Sequence, residues 1–412
     1  MKKVISASPV VLLAALLMLS CDKDKDGDEV KIGPVEIKLT LNQLDLIDGA
    51  NSFGLELFRE VLADAESDEN VFISPLSVHL ALSMTWNGAE ANTREEMTDV
   101  LKLPGDDAEA INLSFRNLMD DLLQVDKKVD LSIANSIWYR LGLKVEEEFL
   151  DINRRYFDAL VESLDFNDPS SLEIINGWVK ENTRGKIQEI IDEIEPGDMM
   201  YLINAIYFKG IWMKEFIREN TRELPFHPDP GVTKNVMTME TEGEFGYTSQ
   251  NGYQVAELPY GQGNYSMLIF LPDENTGIDR MIENLGPDEW KNLSSPLPTH
   301  NVNVRLPRFT FEYEIDLDNM LKRMGMVDAF GQANFCRISC GLFIDQVKHK
   351  TFVEVNEEGT EAAAVTAVIM QLSYNPDLPQ TKYFHVNRPF VFAIREKYTN
   401  SIIFIGRVID PV

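Results

Sequence analysis

A run near the C-terminus sets the tightest limit on what this chain can fold into. It reads Glu357-Glu358-Gly359-Thr360-Glu361-Ala362-Ala363-Ala364 and continues through Val365-Thr366-Ala367-Val368-Ile369-Met370-Gln371-Leu372. Val365, Thr366, Val368 and Ile369 favour an extended strand. Gly359 and the alanines leave little side chain to hold the segment in one place. In a strand, side chains alternate between two faces. One face carries Thr360, Ala362, Ala364, Thr366, Val368, Met370 and Leu372, none of them charged. That face can leave water without stranding an ion. Glu361 falls on the opposite face, with Ala363, Val365, Ala367, Ile369, Gln371 and Ser373. Taken alone, the run also suits an ordinary central strand or a buried helix.

The rest of the chain has room to bury such a strand. Its 412 residues are 44% hydrophobic, enough for a sizeable core. No internal repeat is present, and no Gly/Ser- or Pro-rich linker follows about residue 45. One domain over 43–412 is the simpler reading. Apolar spacing predicts helices over Ala50–Ala63, Ser77–Trp86 (with Ser77 as N-cap), Thr93–Leu101, Ala108–Val125 and Leu172–Thr183. The second half reads as strands: Tyr201–Phe208, Val255–Pro259, Tyr265–Leu271, Val302–Leu306, Phe309–Tyr313, Phe343–Val355, Phe390–Ile394 and Ile402–Val408. Helices ahead of strands argue for an α+β fold with large antiparallel sheets. Tyr260-Gly261-Gln262-Gly263-Asn264 joins two of those strands and opens no helix, so it is a hairpin turn and not a phosphate loop.

The N-terminus reads as a leader. Lys2 and Lys3 precede an apolar stretch from Val10 to Leu19, and Ser20-Cys21 ends it. The stretch is too short to span a bilayer as a mature helix. A small residue before cysteine resembles a bacterial lipobox, although Met18 departs from the usual leucine. The expected organisation is a signal peptide over 1–20, lipidation at Cys21 and an acidic tether over 21–42. That places the protein outside the cytoplasm, anchored in the outer membrane and displayed at the cell surface, with the anchor as its only membrane contact. Asp22, Asp24, Asp26 and Gly27 imitate a calcium loop, but Gly33 stands where the bidentate glutamate belongs. Two further cysteines, Cys336 and Cys340, read as buried thiols, with a local disulfide as the alternative in an oxidising compartment.

The formal net charge of −29 repels nucleic acid, heparin-like polyanions and anionic lipid. No Gly-x-Ser-x-Gly elbow, His-Glu-x-x-His or P-loop occurs. His79, His227, His300, His349 and His385 fall in no metal-ligand spacing. The chain reads as a monomer that is not an enzyme and needs neither metal nor cofactor.

The flanks of the neutral run supply a resemblance. Residues 357–364 resemble the hinge of inhibitory serpins. Phe384-His385-Val386-Asn387-Arg388-Pro389-Phe390-Val391-Phe392 is similar to the serpin C-terminal signature. Ile73-Ser74-Pro75-Leu76-Ser77, Asn87-Gly88-Ala89, Gly185-Lys186-Ile187, Leu202 through Trp212, Leu306-Pro307-Arg308-Phe309 and His349-Lys350 match in order, so the likeness covers about 43–412. It implies three β-sheets, about nine helices and an exposed reactive loop at about 357–383. It also implies inhibition of a serine protease by acyl-enzyme trapping and loop insertion, with Glu357, Glu358, Gly359, Thr360, Glu361, Ala362, Ala363 and Ala364 as the hinge. Glu357 would pair with Arg308 beside Trp212 where the sheet opens. Ser74, Ser77, Asn204 and His349 would hold the middle strands closed. Counting along the hinge puts the scissile bond at Ser373-Tyr374, with Leu372 and Leu378 as alternatives. None of these is basic, which favours elastase-, chymotrypsin- or subtilisin-like targets and leaves papain-like cysteine proteases open. The rival reading is a non-inhibitory serpin acting as a binding or chaperone-like surface protein.

Overall fold

A computed structural model describes residues 33–274, 276–294, 296–360 and 380–411. Helix α1 (Leu41–Asp64) opens on a reciprocal cap: the Thr40 hydroxyl accepts from the Gln43 amide and the Gln43 side chain accepts from the Thr40 amide. It starts earlier than the expected Ala50 because the cap, not apolar spacing, fixes its first turns. Helix α2 (Pro75–Trp86) is buried nearly all round, as an apolar helix without a polar face must be. Its N-cap is Ser74 rather than Ser77: the Ser74 hydroxyl accepts from the Ser77 amide at 3.3 Å, and Pro75 takes the first helical position. The others are α3 (Ala91–Leu101), α4 (Ala108–Gln124), α5 (Glu147–Phe157), α6 (Ser170–Asn182), α7 (Ile278–Asn284), α8 (Pro287–Ser294) and α9 (Asp318–Met324).

The strands are β1 (Val71–Ile73), β2 (Val129–Arg140), β3 (Leu160–Leu164), β4 (Met200–Ile211), β5 (Arg222–Phe226), β6 (Lys234–Gln250), β7 (Tyr253–Pro259) and β8 (Tyr265–Pro272). After them come β9 (Thr299–Pro307), β10 (Phe309–Asp316), β11 (Lys348–Val355), β12 (Gly359–Thr360), β13 (Lys382–His385), β14 (Phe390–Glu396) and β15 (Ile402–Val408). One sheet has the order β10-β11-β12-β4-β2-β3. The other ladders form two parts joined by the long strand β6. Its start pairs with β5, its middle with β9, which carries β13, and its end with β7, which leads through β8, β14 and β15 to β1.

The expected Phe343–Val355 strand begins only at Lys348, and Phe343 lies exposed in the loop before it. Strands β8, β14 and β15 are buried along their whole length. Helix α2 packs against β15 on one side and β4 on the other. Phe72 stacks on Phe392 and Phe404 with ring centroids 5.5 and 5.0 Å apart, closing the floor beneath the six-stranded sheet. Cys336 and Cys340 form a disulfide. Cys336 is half-buried and Cys340 exposed, so the buried-thiol reading is replaced by the local bridge.

Candidate functional site

The start of the hinge is already in the sheet. Thr360 pairs with Val355 of β11 on one side and Gly210 of β4 on the other, and Gly359 pairs with Ile211. Residues Glu357, Glu358, Gly359 and Thr360 are buried, so the start of the expected exposed loop is not exposed. A tight turn makes this possible. The Asn356 amide donates to Gly359 O at 2.9 Å, and the Asn356 side chain accepts from the Glu358 amide at 3.1 Å. Gly359 has φ +154°, and a Cβ there would lie 2.0 Å from Gly210 O. Glycine is required by contact as much as by backbone freedom.

Two buried carboxylates hold the turn down. Glu357 accepts from Arg308 Nε at 2.8 Å and from the Thr221 hydroxyl at 2.5 Å, and a second Arg308 nitrogen closes on the same oxygen. Burial alone would raise the Glu357 pKa; the Arg308 and Thr221 hydrogen bonds outweigh it and hold the carboxyl below its usual value. Glu358 forms its own ion pair with Arg218. Trp212 clamps the backbone between them: its amide donates to Glu358 O at 2.8 Å and its indole to Asn356 O at 2.9 Å. The Trp212 ring stacks on Tyr260 at 4.3 Å and 12°, and the Tyr260 hydroxyl bonds the Thr360 hydroxyl at 2.7 Å.

Below Thr360 the described residues leave β4 and β11 without a strand between them, and no ladder joins the two. Between them lies a narrow cleft with Ile206 and Phe208 on one wall, Val353 on the other, Thr360 at its head and Phe72 and Phe404 on its floor. Deeper between the same strands, Ser74, Ser77 and His349 come together. The Ser74 amide donates to His349 Nε2 at 2.9 Å, and its hydroxyl donates to Ile403 O at 2.7 Å. Asn204 does not join them. Its amide donates to Asn135 Oδ1 at 2.8 Å, and its own Oδ1 is buried with no partner among the described residues. The four residues expected to close the sheet together therefore stand on its two sides.

Against known proteins, the model of the family Serpin (serine protease inhibitor) matches residues 48–411. This chain is a serpin. The leukocyte elastase inhibitor of Sus scrofa is 36% identical over 89% of this chain and 100% of its own length. The crystal structure of the thermophilic serpin tengpin in its native state superposes with a TM-score of 0.81 at 34% identity, covering 91% of this chain and 96% of tengpin. Human thyroxine-binding globulin, solved in complex with its named ligand, gives 0.80 at 27% identity, covering 90% of this chain and 100% of its own. Serpins as a family are protease inhibitors rather than enzymes, and serine proteases are their usual targets. The expected serpin architecture, with nine α-helices among the described residues, is the fold of this chain.

Within this serpin, the expected Glu357, Arg308 and Trp212 do meet. Sequence reasoning missed Thr221, Arg218, Tyr260 and Asn356, which complete the same cluster. Glu361, Ala362, Ala363, Ala364, Leu372, Ser373, Tyr374, Leu378 and Cys21 lie outside the described residues. The described residues contain no group of three or more acidic, histidine or cysteine side chains able to hold a metal.

His349 and His79 are fully buried, and burial lowers the pKa of each from 6.5 to about 4; for His79 a hydrogen bond to Leu101 O opposes the shift. Both stay neutral in the folded serpin while an unfolded chain would protonate them below about 6.5. Their share of stability is thus complete above pH 6.5 and falls as pH drops toward 4, by ~1.4 kcal/mol per pH unit for each histidine. The expected result is a thermal midpoint that declines steeply between pH 6.5 and 4.5, with the decline reduced in His349→Gln. A decline of equal slope in His349→Gln would show that His349 makes no contribution.

Proposed function

We propose that this serpin inhibits elastase-, chymotrypsin- or subtilisin-like serine proteases by covalent trapping. The protease serine attacks a carbonyl between Leu372 and Leu378, breaks that peptide bond and forms an acyl-enzyme. The freed N-terminal side of the loop then enters the cleft between β4 and β11. The attached protease is carried with it, and its catalytic geometry is lost before water can release the acyl group. Papain-like cysteine proteases could be held in the same way through a thioester.

One observation carries this reading: Thr360 pairs with strands on both sides, at the head of the cleft between β4 and β11. The register supports it further. Extending the same pairing would set Ala362 between Phe208 and Val353, Ala364 between Ile206 and Thr351, and Thr366 between Asn204 and His349. Thr360 faces the core beside Val355, so the charge-free set would follow it inward and Glu361 would point out. The unpartnered Asn204 Oδ1 would gain a hydroxyl donor in Thr366. The likeness to thyroxine-binding globulin keeps a non-inhibitory carrier as the alternative reading.

The same proposal keeps the inhibitor outside the cytoplasm on a lipid at Cys21, a position the Cys336–Cys340 disulfide suits. Mixing the protein with pancreatic elastase and with chymotrypsin should give an SDS-resistant complex near the summed mass. Complete cleavage of the loop with no such complex would leave the carrier reading in its place.

A further inference from the structure

The turn Tyr260–Asn264 has no part in the chemistry of trapping, yet its first residue touches the hinge. We infer that Tyr260 is a positioning residue: its hydroxyl latches Thr360 into the head of the six-stranded sheet before any protease arrives, so that insertion starts from a strand end already in place. The inference rests on the inhibitory reading for its consequence, but the latch itself does not.

Tyr260 is placed for this from several sides. It follows β7, outside the six-stranded sheet, and bridges to Trp212 across the gap. Its ring stacks on Trp212 and meets Phe208 edge-on at 5.2 Å. Gly210 makes room for it, since a Cβ there would lie 2.8 Å from the ring. The Tyr260 amide donates to Tyr265 O, and the Gly261 amide to Ile211 O, both at 2.8 Å. The hairpin fixes the backbone, and Trp212, Phe208 and Gly210 pack around the ring.

The hydroxyl therefore has one direction to point, and Thr360 is its hydrogen-bond partner among the described residues. Tyr260 is fully buried and Thr360 nearly so, so either hydroxyl left alone would be an unpaired polar group away from water. Burial pushes the phenol pKa up, with the Thr360 bond opposing it, so the phenol stays neutral, and either hydroxyl can donate to the other. Among the described residues, Gly359 and Thr360 have no other side-chain anchor inside the sheet. Trapping is a race between insertion and deacylation, and a pinned strand end removes the slow first step.

Tyr260→Phe keeps the ring and its stacking; Thr360→Val keeps the side-chain shape. Without protease, the reporters are the Trp212 and Phe216 amides, which donate to Glu358 O and Glu357 O at 2.8 and 3.0 Å. Their hydrogen exchange should quicken about tenfold in either variant, the effect of losing one buried hydrogen bond. The double variant should be no faster than the single ones, and Thr360→Ser should exchange like the parent. With elastase, the moles of variant needed per mole of protease should rise severalfold while the association rate holds. Unchanged exchange in Tyr260→Phe would overturn the latch. A parent chain that forms no complex would overturn the inhibitory reading instead, with the exchange result still deciding the latch.

Discussion

Thr360→Arg should leave the protein folded and abolish trapping. Thr360 sits opposite Val355 and Gly210 on the inward face, with 5% of its surface exposed, against Tyr260. Lys186 and Glu354, the ion pair nearest the cleft, belong to its outer side. An inward arginine would replace the hydroxyl that meets Tyr260 at the head of a cleft lined by Phe208 and Val353. Burying it unpaired costs several kcal/mol, and ~1.4 kcal/mol is a tenfold change in partition. Complex formation with elastase should therefore fall by about a hundredfold or more, and the protease should turn the variant over as a substrate. The fold itself should persist, because Thr360 lies at the head of the cleft and the core beneath it is complete. Thr360→Ser should inhibit like the parent. Normal inhibition by Thr360→Arg would mean that a charge at the head of the sheet is no bar to trapping.

Much of this site was legible in the sequence because its parts are compact motifs. The hinge is contiguous, and the Glu357–Arg308–Trp212 group rests on residues within three matching segments. The charge-free face was visible from alternation alone, but not which way it points. Only the register of Thr360 against Val355 and Gly210 fixes the inward phase. Tyr260 was read as the start of a turn, since nothing local marks a residue whose partner lies 100 positions away. Thr221 and Arg218 escaped for the same reason.

Among the strands, β2 went unread because Asp130, Ser132, Asn135 and Ser136 interrupt its apolar alternation. Asn135 and Ser136 are buried polar groups satisfied by Phe157 O and Trp138 Nε1, which a sequence does not display. Strand β6 was masked by Glu240, Glu242 and Glu244 on its outer face, although the opposite face carries Met239, Thr241 and Phe245 into the interior. The strand β11 was drawn too long at its start. An apolar Phe343 suggested strand, but the inward alternation begins with His349, Thr351, Val353 and Val355.

Cutting the loop should make the protein much harder to melt. A severed ribbon that takes the middle position gains ladders from β4 and β11 at once and covers Phe72, Phe208, Val353 and Phe404 with its neutral face. At about 25 cal/mol for each Å² of apolar surface removed from water, a strand of that length is worth on the order of 10 kcal/mol. In a domain this large one kcal/mol moves the midpoint by about 2 °C. The decisive measurement is differential scanning calorimetry of intact protein beside protein cleaved once in the loop, both at pH 7. Loop insertion predicts a midpoint ~20 °C higher for the cleaved form; equal midpoints would mean that the ribbon stays outside and that no trap of this kind operates.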